Sequence, residues 1–452
     1  MEKLALLGGK PYVTEHAPKE LFKWPIITEE DEQAIVDVIR NNKFSGTDIT
    51  QKFENEFKDW LGRDYAIAYT NGTLSLAAAM FAIGLGAGDE VICPTKTYWA
   101  SIIQSTIMGA TPVFCNITDN LVIDPDDIER CITPKTKAIM VVHYFGYPCD
   151  MDRVMEIAKK HNLYVLEDVS HAQGGMYKGK RLGTFGDVAA MSLMSGKVFA
   201  AGELGILVTN NRKFYERAMA YAHYERNNAN YIVETEEIKP YYHVALGAVK
   251  GRANQICTAL ARGQLKYFDF RCAEIRKAMN YFFDLLEGLP GIRPIRVDES
   301  TGSNMGGFYQ AQLAVYPEQM GGISSQLFAE AVSAEFNGAF VSWCGANFCL
   351  HTHDYFKTYD FLNLGKPSRI AFSDRDLRVD DEKLTRSEQM WSMTVPWFKK
   401  YDKKWIETYA GAIRKVAENY TQLLGLESKD SSEGRWHGTE NAVEQQKTKK
   451  GK

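Results

Sequence analysis

The chain has 452 residues, 45% of them hydrophobic, enough for a large core plus a second, smaller domain. A net charge of −4, with Lys and Arg scattered along the chain, argues against a nucleic-acid footprint. No apolar run approaches membrane-spanning length, and the N-terminal MEKLALLGGKPYVTEHAP lacks the apolar stretch and cleavage site of a secretory signal. Eight cysteines spread singly, mostly among apolar neighbours, predict reduced thiols and a cytoplasmic setting without membrane partners.

Residues 1–28, with Pro11, Pro18 and Pro25 and no hydrophobic period, read as an arm on the body of the protein. A helix is predicted from about Thr28, where T-E-E-D-E supplies an acidic first turn. Phe53, Phe57 and Trp60 follow at helical spacing, which favours core packing over a binding face. A short strand over 66–69 then runs into Thr70-Asn71-Gly72-Thr73 and an Ala- and Leu-rich helix. A helix start of this kind, with unpaired N–H groups and a positive dipole end, suits a phosphate, although Asn or Thr there also makes an ordinary cap. The stretch GLGAGDEV ends a helix where a dinucleotide fingerprint must open one, so that reading is rejected.

Strands over 89–94, 111–114 and 136–145, with helices from Asp124 and Asp150, alternate as in βαβ units and predict a mainly parallel sheet. Thr97-Tyr98-Trp99 lies past the first of these strands. His143 and Gly146 fall at the end of the third, where a structural role is as open as a catalytic one.

The stretch 163–210 carries the chemistry. Its first apolar run, 163–166, ends in Glu167 and Asp168, and the carboxyl ends of strands in an open α/β sheet line the ligand crevice. A second apolar run, 188–194, leads to Lys197 among small residues, and 205–209 reads as a short strand. An acid at one strand end and a lysine past the next is what a pyridoxal phosphate (PLP) site needs. The amine bonds to the aldehyde carbon, and the carboxylate keeps the pyridine nitrogen protonated. Taken singly, such a lysine is most often a solvated loop residue and such an acid pair a surface feature.

The ordered series is more specific. E-D-x-x-H-A-x-G, then G-x-x-G-D-x-x-x-x-S, a lysine five residues on, and G-E-x-G resembles the DegT–StrS family, PLP-dependent aminotransferases of keto-sugars and keto-cyclitols. The matching residues are Glu167, Asp168, His171, Gly174, Gly183, Gly186, Asp187, Ser192, Lys197, Gly202, Glu203 and Gly205; Leu204 stands where the family usually has glycine. The resemblance, over residues 5–424, implies the PLP-dependent transferase type I (aspartate aminotransferase-like) α/β fold. It places a large, mainly parallel domain at 29–286 and a smaller C-terminal α/β domain at 287–425.

The same resemblance implies roles. Lys197 is the covalent anchor and proton shuttle, Asp168 meets the pyridine nitrogen, and His171 contacts the ring or its hydroxyl. Gly72, Thr73 and Ser192 hold the phosphate and Tyr98 stacks on the ring, with Trp99 left to the core. In LGAVKGRANQ the family's N-Y-R segment, which reaches the partner subunit's site, keeps Arg252 as a substrate contact, while Lys250 and Gly251 replace the Asn and Tyr. Lys250 offers a cationic cofactor contact, and a homodimer is implied. In WCGANFCLHTH, residues 343–353, the metal-capable Cys344, Cys349, His351 and His353 fit zinc spacing poorly. His351 aligns with a substrate-facing family histidine, which is preferred over packing, and no metal is expected. A long helix over 255–286, a strand over 308–316, a helix over 324–336 and a disordered tail from 426 complete the reading.

The implied reaction moves an amino group from glutamate or glutamine to a keto-sugar or keto-cyclitol, and the likeness is greatest to the cyclitol branch of deoxy-inosose aminotransferases. Dehydratases of the family replace the lysine with histidine, so Lys197 argues against them. An aromatising synthase and a non-catalytic regulator on the same fold stay as alternatives.

Overall fold

Alternation of apolar strands and amphipathic helices in the first half of the chain produces a seven-stranded sheet. The computed structural model describes residues 2–353, 355–356 and 382–429. The strands are β1 (Tyr65–Tyr69), β2 (Glu90–Pro94), β3 (Thr111–Cys115), β4 (Thr136–Val142), β5 (Tyr164–Asp168), β6 (Val188–Ser192) and β7 (Gly205–Thr209). Their order is β1-β7-β6-β5-β4-β2-β3. All pairings are parallel except those of β7, which runs antiparallel to both β1 and β6. The six parallel strands therefore end on one edge, and β7 starts there, so the loops that the sequence marks as chemical are gathered together.

Local signals set the helices. Helix α1 (Glu29–Arg40) starts with a capping box: the Thr28 hydroxyl accepts from Asp31 N–H at 3.2 Å, and the Asp31 carboxylate accepts from Thr28 N–H at 2.9 Å. Helix α2 (Asp48–Leu61) buries Phe53 and Phe57 fully against Phe199, so the aromatic row is core. Helix α3 (Gly72–Ala82) follows β1, and Asp124 and Asp150 cap α4 (Pro125–Cys131) and α5 (Met151–His161).

Two predicted strands are too long, for one reason. The chain over 136–145 leaves the sheet after Val142, because Phe145 adopts φ 52° in a short 3-10 turn at Tyr144–Gly146. The segment 308–316 pairs only over Gln312–Val315, because Phe308 and Gln310 have φ 54° and 44°. Left-handed backbone at non-glycine residues is incompatible with a strand.

A second core lies beyond the sheet. It contains an antiparallel sheet of β8 (Ile292–Pro294), β9 (Gln312–Val315) and β10 (Trp391–Thr394), helices α8 (Ser325–Glu335) and α9 (Lys403–Glu418), and the distal part of α7 (Gln255–Asp284), which follows α6 (Arg212–Ala222). The N-terminal arm belongs to this core through Leu4 and Val13. The buried Glu335 carboxylate fixes it, accepting from Ala5 N–H at 2.7 Å, Tyr12 N–H at 2.9 Å and Lys415 Nζ at 3.1 Å. No helix of the described residues is long and apolar enough to cross a membrane. Most of the tail read as disordered, residues 430–452, lies outside the described residues.

Candidate active site

The carboxyl edge of the sheet brings β1, β6 and β7 into close contact. Asn71 caps α3 by accepting from Leu74 N–H at 2.9 Å. A Cβ on Gly72 would stand 2.5 Å from Ser192 Cβ, and one on Gly205 would stand 2.3 Å from the Asn71 carbonyl carbon. Glycine at both positions lets the α3 N-terminus sit directly over the ends of β6 and β7. The open helix start, with Thr73 and Ser192 beside it, faces a cavity of about 380 Å³.

Strand alternation sends the two acids of β5 to opposite faces. Glu167 points into the protein, where it accepts from the backbone N–H groups of Gly183 (2.8 Å), Phe185 (2.8 Å) and Gly186 (2.7 Å) and from His143 Nε2 (3.2 Å). Burial pushes its carboxyl up, but His143, the Gly186 N–H and the Arg63 guanidinium outweigh burial and hold it below the ordinary value. His143 Nδ1 accepts from Cys149 N–H at 3.1 Å, which assigns the proton to Nε2 and makes His143 a structural partner of Glu167.

Asp168 points into the cavity and is 4% exposed. Its Oδ2 accepts from the Ser101 hydroxyl at 2.7 Å and its Oδ1 from Ser170 N–H at 3.0 Å. Among the described residues no cation pairs with it. His171 lies one turn further on; its Nδ1 accepts from Phe145 N–H at 3.2 Å, and its ring stacks on Tyr144. The left-handed Phe145 is what aims that N–H at the imidazole.

Lys197 follows β6 in a loop held by the arm, since Trp24 Nε1–H donates to the Lys197 carbonyl at 2.8 Å. Its Nζ lies 3.4 Å from the Tyr309 hydroxyl and 4.4 Å from the centre of that ring. Tyr309, Gln310 and Asn347 also line the cavity.

Seven of the ten residues singled out from the sequence line this one cavity: Gly72, Thr73, Tyr98, Asp168, His171, Ser192 and Lys197. Three do not. His351 is buried outside it, with Nδ1 2.6 Å from Thr95 Oγ1 and Nε2 3.1 Å from Glu388 Oε1. Lys250 is exposed, its Nζ over the Tyr224 ring. Arg252 bridges to Tyr69 in the backbone, and its Nη1 stands 3.9 Å from Glu225 Oε1. Gly251 has a packing reason: a Cβ there would lie 2.4 Å from Leu74 Cδ2, so the tyrosine of the family segment has no room. Leu204 is fully buried, a packing residue beside the site. Among the described residues, the cysteines and histidines of 343–353 form no convergent set of ligands. Among the described residues the convergent ligand set is Cys115, Asp127 and Cys131, away from the cavity, with Asp127 already gripped by Arg130.

Sequence reading missed Ser101, Tyr309, Gln310 and Asn347. Only the Gly306-Gly307 pair hinted that the chain turns sharply before Tyr309.

Residues 25–358 match the family model of the DegT/DnrJ/EryC1/StrS aminotransferase family. The chain belongs to this family. Within it, the sequence is 41% identical over 221 residues to a GDP-perosamine synthase of Escherichia coli O157:H7, covering 48% of this chain and 58% of that protein. It is 35% identical over 273 residues to a Micromonospora echinospora protein whose name gives it, provisionally, as an L-glutamine:3-amino-2,3-dideoxy-scyllo-inosose aminotransferase, covering 59% and 62%. The alignments thus span about three-fifths of these relatives. Among solved structures, an aminotransferase from Psychrobacter cryohalolentis superposes with a TM-score of 0.71 at 27% identity, over 90% of this chain and 99% of that one. The family's fold is the PLP-dependent transferase type I fold, and the mainly parallel sheet with a smaller C-terminal unit follows it.

Proposed function

We propose that this protein is a PLP-dependent aminotransferase that moves an amino group from glutamate or glutamine to the ketone carbon of a sugar or cyclitol, as a cytoplasmic homodimer. The observation that carries the reading is Asp168: a buried carboxylate without a cationic partner among the described residues, in one cavity with Lys197 and an open helix N-terminus. A buried charge needs a counter-charge, and a protonated pyridine nitrogen is one. The donor set therefore fits the cofactor. Thr73, Ser192 and the N–H groups at Gly72 suit a phosphate at one end, Asp168 the ring nitrogen at the other, and Lys197 the aldehyde carbon between.

Bound there, PLP supplies a conjugated ring that accepts electrons from the donor's α carbon. The protein supplies the rest. Asp168, fixed by Ser101 and Ser170, keeps a proton on the ring nitrogen. Lys197 Nζ, once released, takes the proton from the α carbon and hands it on. Tyr98 and His171, both lining the cavity, would contact the ring, and Tyr144 and Phe145 hold His171 in place. Lys250 and Arg252 are assigned to the partner's site, across the dimer.

The acceptor side falls to Gln310 and Asn347 in place of His351. Among the described residues lining the cavity Lys197 is the single Lys or Arg, so this chain's own wall, before the partner's Lys250 and Arg252 are added, suits a neutral polyhydroxy ketone. That supports the cyclitol branch. Borohydride reduction of the PLP-loaded protein, followed by peptide mapping, is expected to fix the cofactor on Lys197. Lys197→Ala is expected to slow amino transfer by at least about a thousandfold, roughly 4 kcal/mol of barrier. Label on a different lysine overturns the assignment.

A further inference from the structure

We propose that Tyr309 is the positioning residue for the Lys197 amine, the place where that amine rests whenever it is not bonded to another group. The inference rests on Lys197 being the reactive lysine, but its geometry is independent of any ligand. Nζ lies 3.4 Å from the Tyr309 hydroxyl and 4.4 Å from the ring centre, so one side chain offers two contacts. The hydroxyl donates to a neutral amine or accepts from an ammonium, and the ring face attracts the ammonium. A lysine that must gain and lose a proton keeps its place in both states.

The backbone is built to present this one side chain. Tyr309 is 5% exposed and sits between two left-handed non-glycine residues, Phe308 at φ 54° and Gln310 at φ 44°. Such conformations cost free energy and persist only where the surroundings impose them. Here the turn is locked from both cores: a Cβ on Gly307 would lie 2.2 Å from Val198 Cγ1, next to Lys197 in sequence, and Trp397 Nε1–H donates to the Gly307 carbonyl at 2.8 Å. The Tyr309 ring also packs on His171, with ring centres 4.4 Å apart, so the lysine and the histidine share one wall. An ordinary strand over 308–316 would have alternated Tyr309 away from one of these contacts.

The test reads the amine itself. In protein freed of cofactor, the rate at which an acylating reagent labels Lys197 is followed against pH by peptide mass, for Tyr309→Phe and Tyr309→Leu. Tyr309→Leu removes both contacts and is expected to raise the labelling rate at least threefold and to shift its pH midpoint; Tyr309→Phe, which keeps the ring, is expected to fall between. In the amino-donor half-reaction, Tyr309→Leu is expected to be about a hundredfold slower and Tyr309→Phe about tenfold slower, with kcat affected more than KM. If Tyr309→Leu does not fold, Tyr309→Phe, which loses one atom, decides. Labelling rates and pH midpoints equal to the unaltered protein's overturn the proposal. Because labelling needs no turnover, that result is separable from a failure of the aminotransferase reading, which shows as cofactor fixed elsewhere than Lys197.

Discussion

At the floor of the cavity, all four carboxylate oxygens of Glu167 and Asp168 find donors within the chain, from backbone N–H groups, Ser101 and His143. The segment that begins at His223 is built the other way. Both ring nitrogens of His223, both oxygens of Glu225, Arg226 Nε and Asn227 Oδ1 are buried without a hydrogen bond, His223 Nδ1 reaching only ion-pair distance, 3.5 Å, from Glu225 Oε1. Along the same segment Val233, Tyr241 and Val244 are 57%, 53% and 53% exposed. An unpaired buried polar group costs about 1–3 kcal/mol, and exposed apolar side chains mark contact surfaces. The hydrogen bonds of the floor are met within one chain, whereas the segment leading to Arg252 exposes Val233, Tyr241 and Val244, as a contact surface does. That contrast supports the proposed homodimer more than the sequence of the segment does.

The sharpest way to break the comparison is complementation. Lys197→Ala and Arg252→Ala chains, each inactive alone, are expected to regain activity when mixed, because a hybrid dimer holds one site with both residues intact. Verified hybrids that stay inactive would show that Arg252 serves its own chain.

The floor's completeness is tested next. Glu167→Gln leaves His143 and Arg63 facing a neutral group and is expected to destabilise the fold by about 3–5 kcal/mol in urea unfolding. The sign with pH follows from the lowered carboxyl: the stabilisation is fully present above the ordinary value of 4.5 and is lost as pH falls through the lower, folded value. The gap between the two proteins should therefore be constant at neutral pH and close only in acid. A gap unchanged well below that pH would remove Glu167 as its source.

The smallest effect concerns Ser101. Ser101→Ala removes one charge-assisted hydrogen bond from Asp168, an interaction worth about 1.5–3 kcal/mol. Amino transfer is expected to slow about tenfold with the unfolding midpoint nearly unchanged, and unaltered turnover would show that Ser170 N–H alone fixes the carboxylate.

What the sequence made legible follows from locality. Strand ends, caps and glycines are set by neighbours along the chain, so Asp168, Lys197, Ser192 and the Gly72-Thr73 helix start were all readable and meet in one cavity. Tyr309 was not, because it reaches the cavity through a turn whose left-handed residues, Phe308 and Gln310, are not glycine, and Asn347 was not, because Tyr144 and Thr97, 203 and 250 residues away, hold it there. His351 shows the limit of likeness: it stands in the expected loop, yet Thr95 and Glu388 hold its ring away from the cavity. The arm was legible as an arm, but nothing in residues 1–28 says that Leu4 and Val13 belong to the second core.

That last packing sets the timing of folding. Gln422 Oε1 accepts from Leu4 N–H at 3.2 Å across 418 residues, and Lys415 with Glu335 clamps the arm. The strands and helices of the first half can assemble as they leave the ribosome, but the second core cannot close until its last helix has been made. Trp24 in that same arm holds the Lys197 carbonyl, so the arm ties the lysine loop to the second core. Contacts this distant in sequence form slowly, so the arm and the lysine loop it holds are expected to be among the last parts of the fold to be secured.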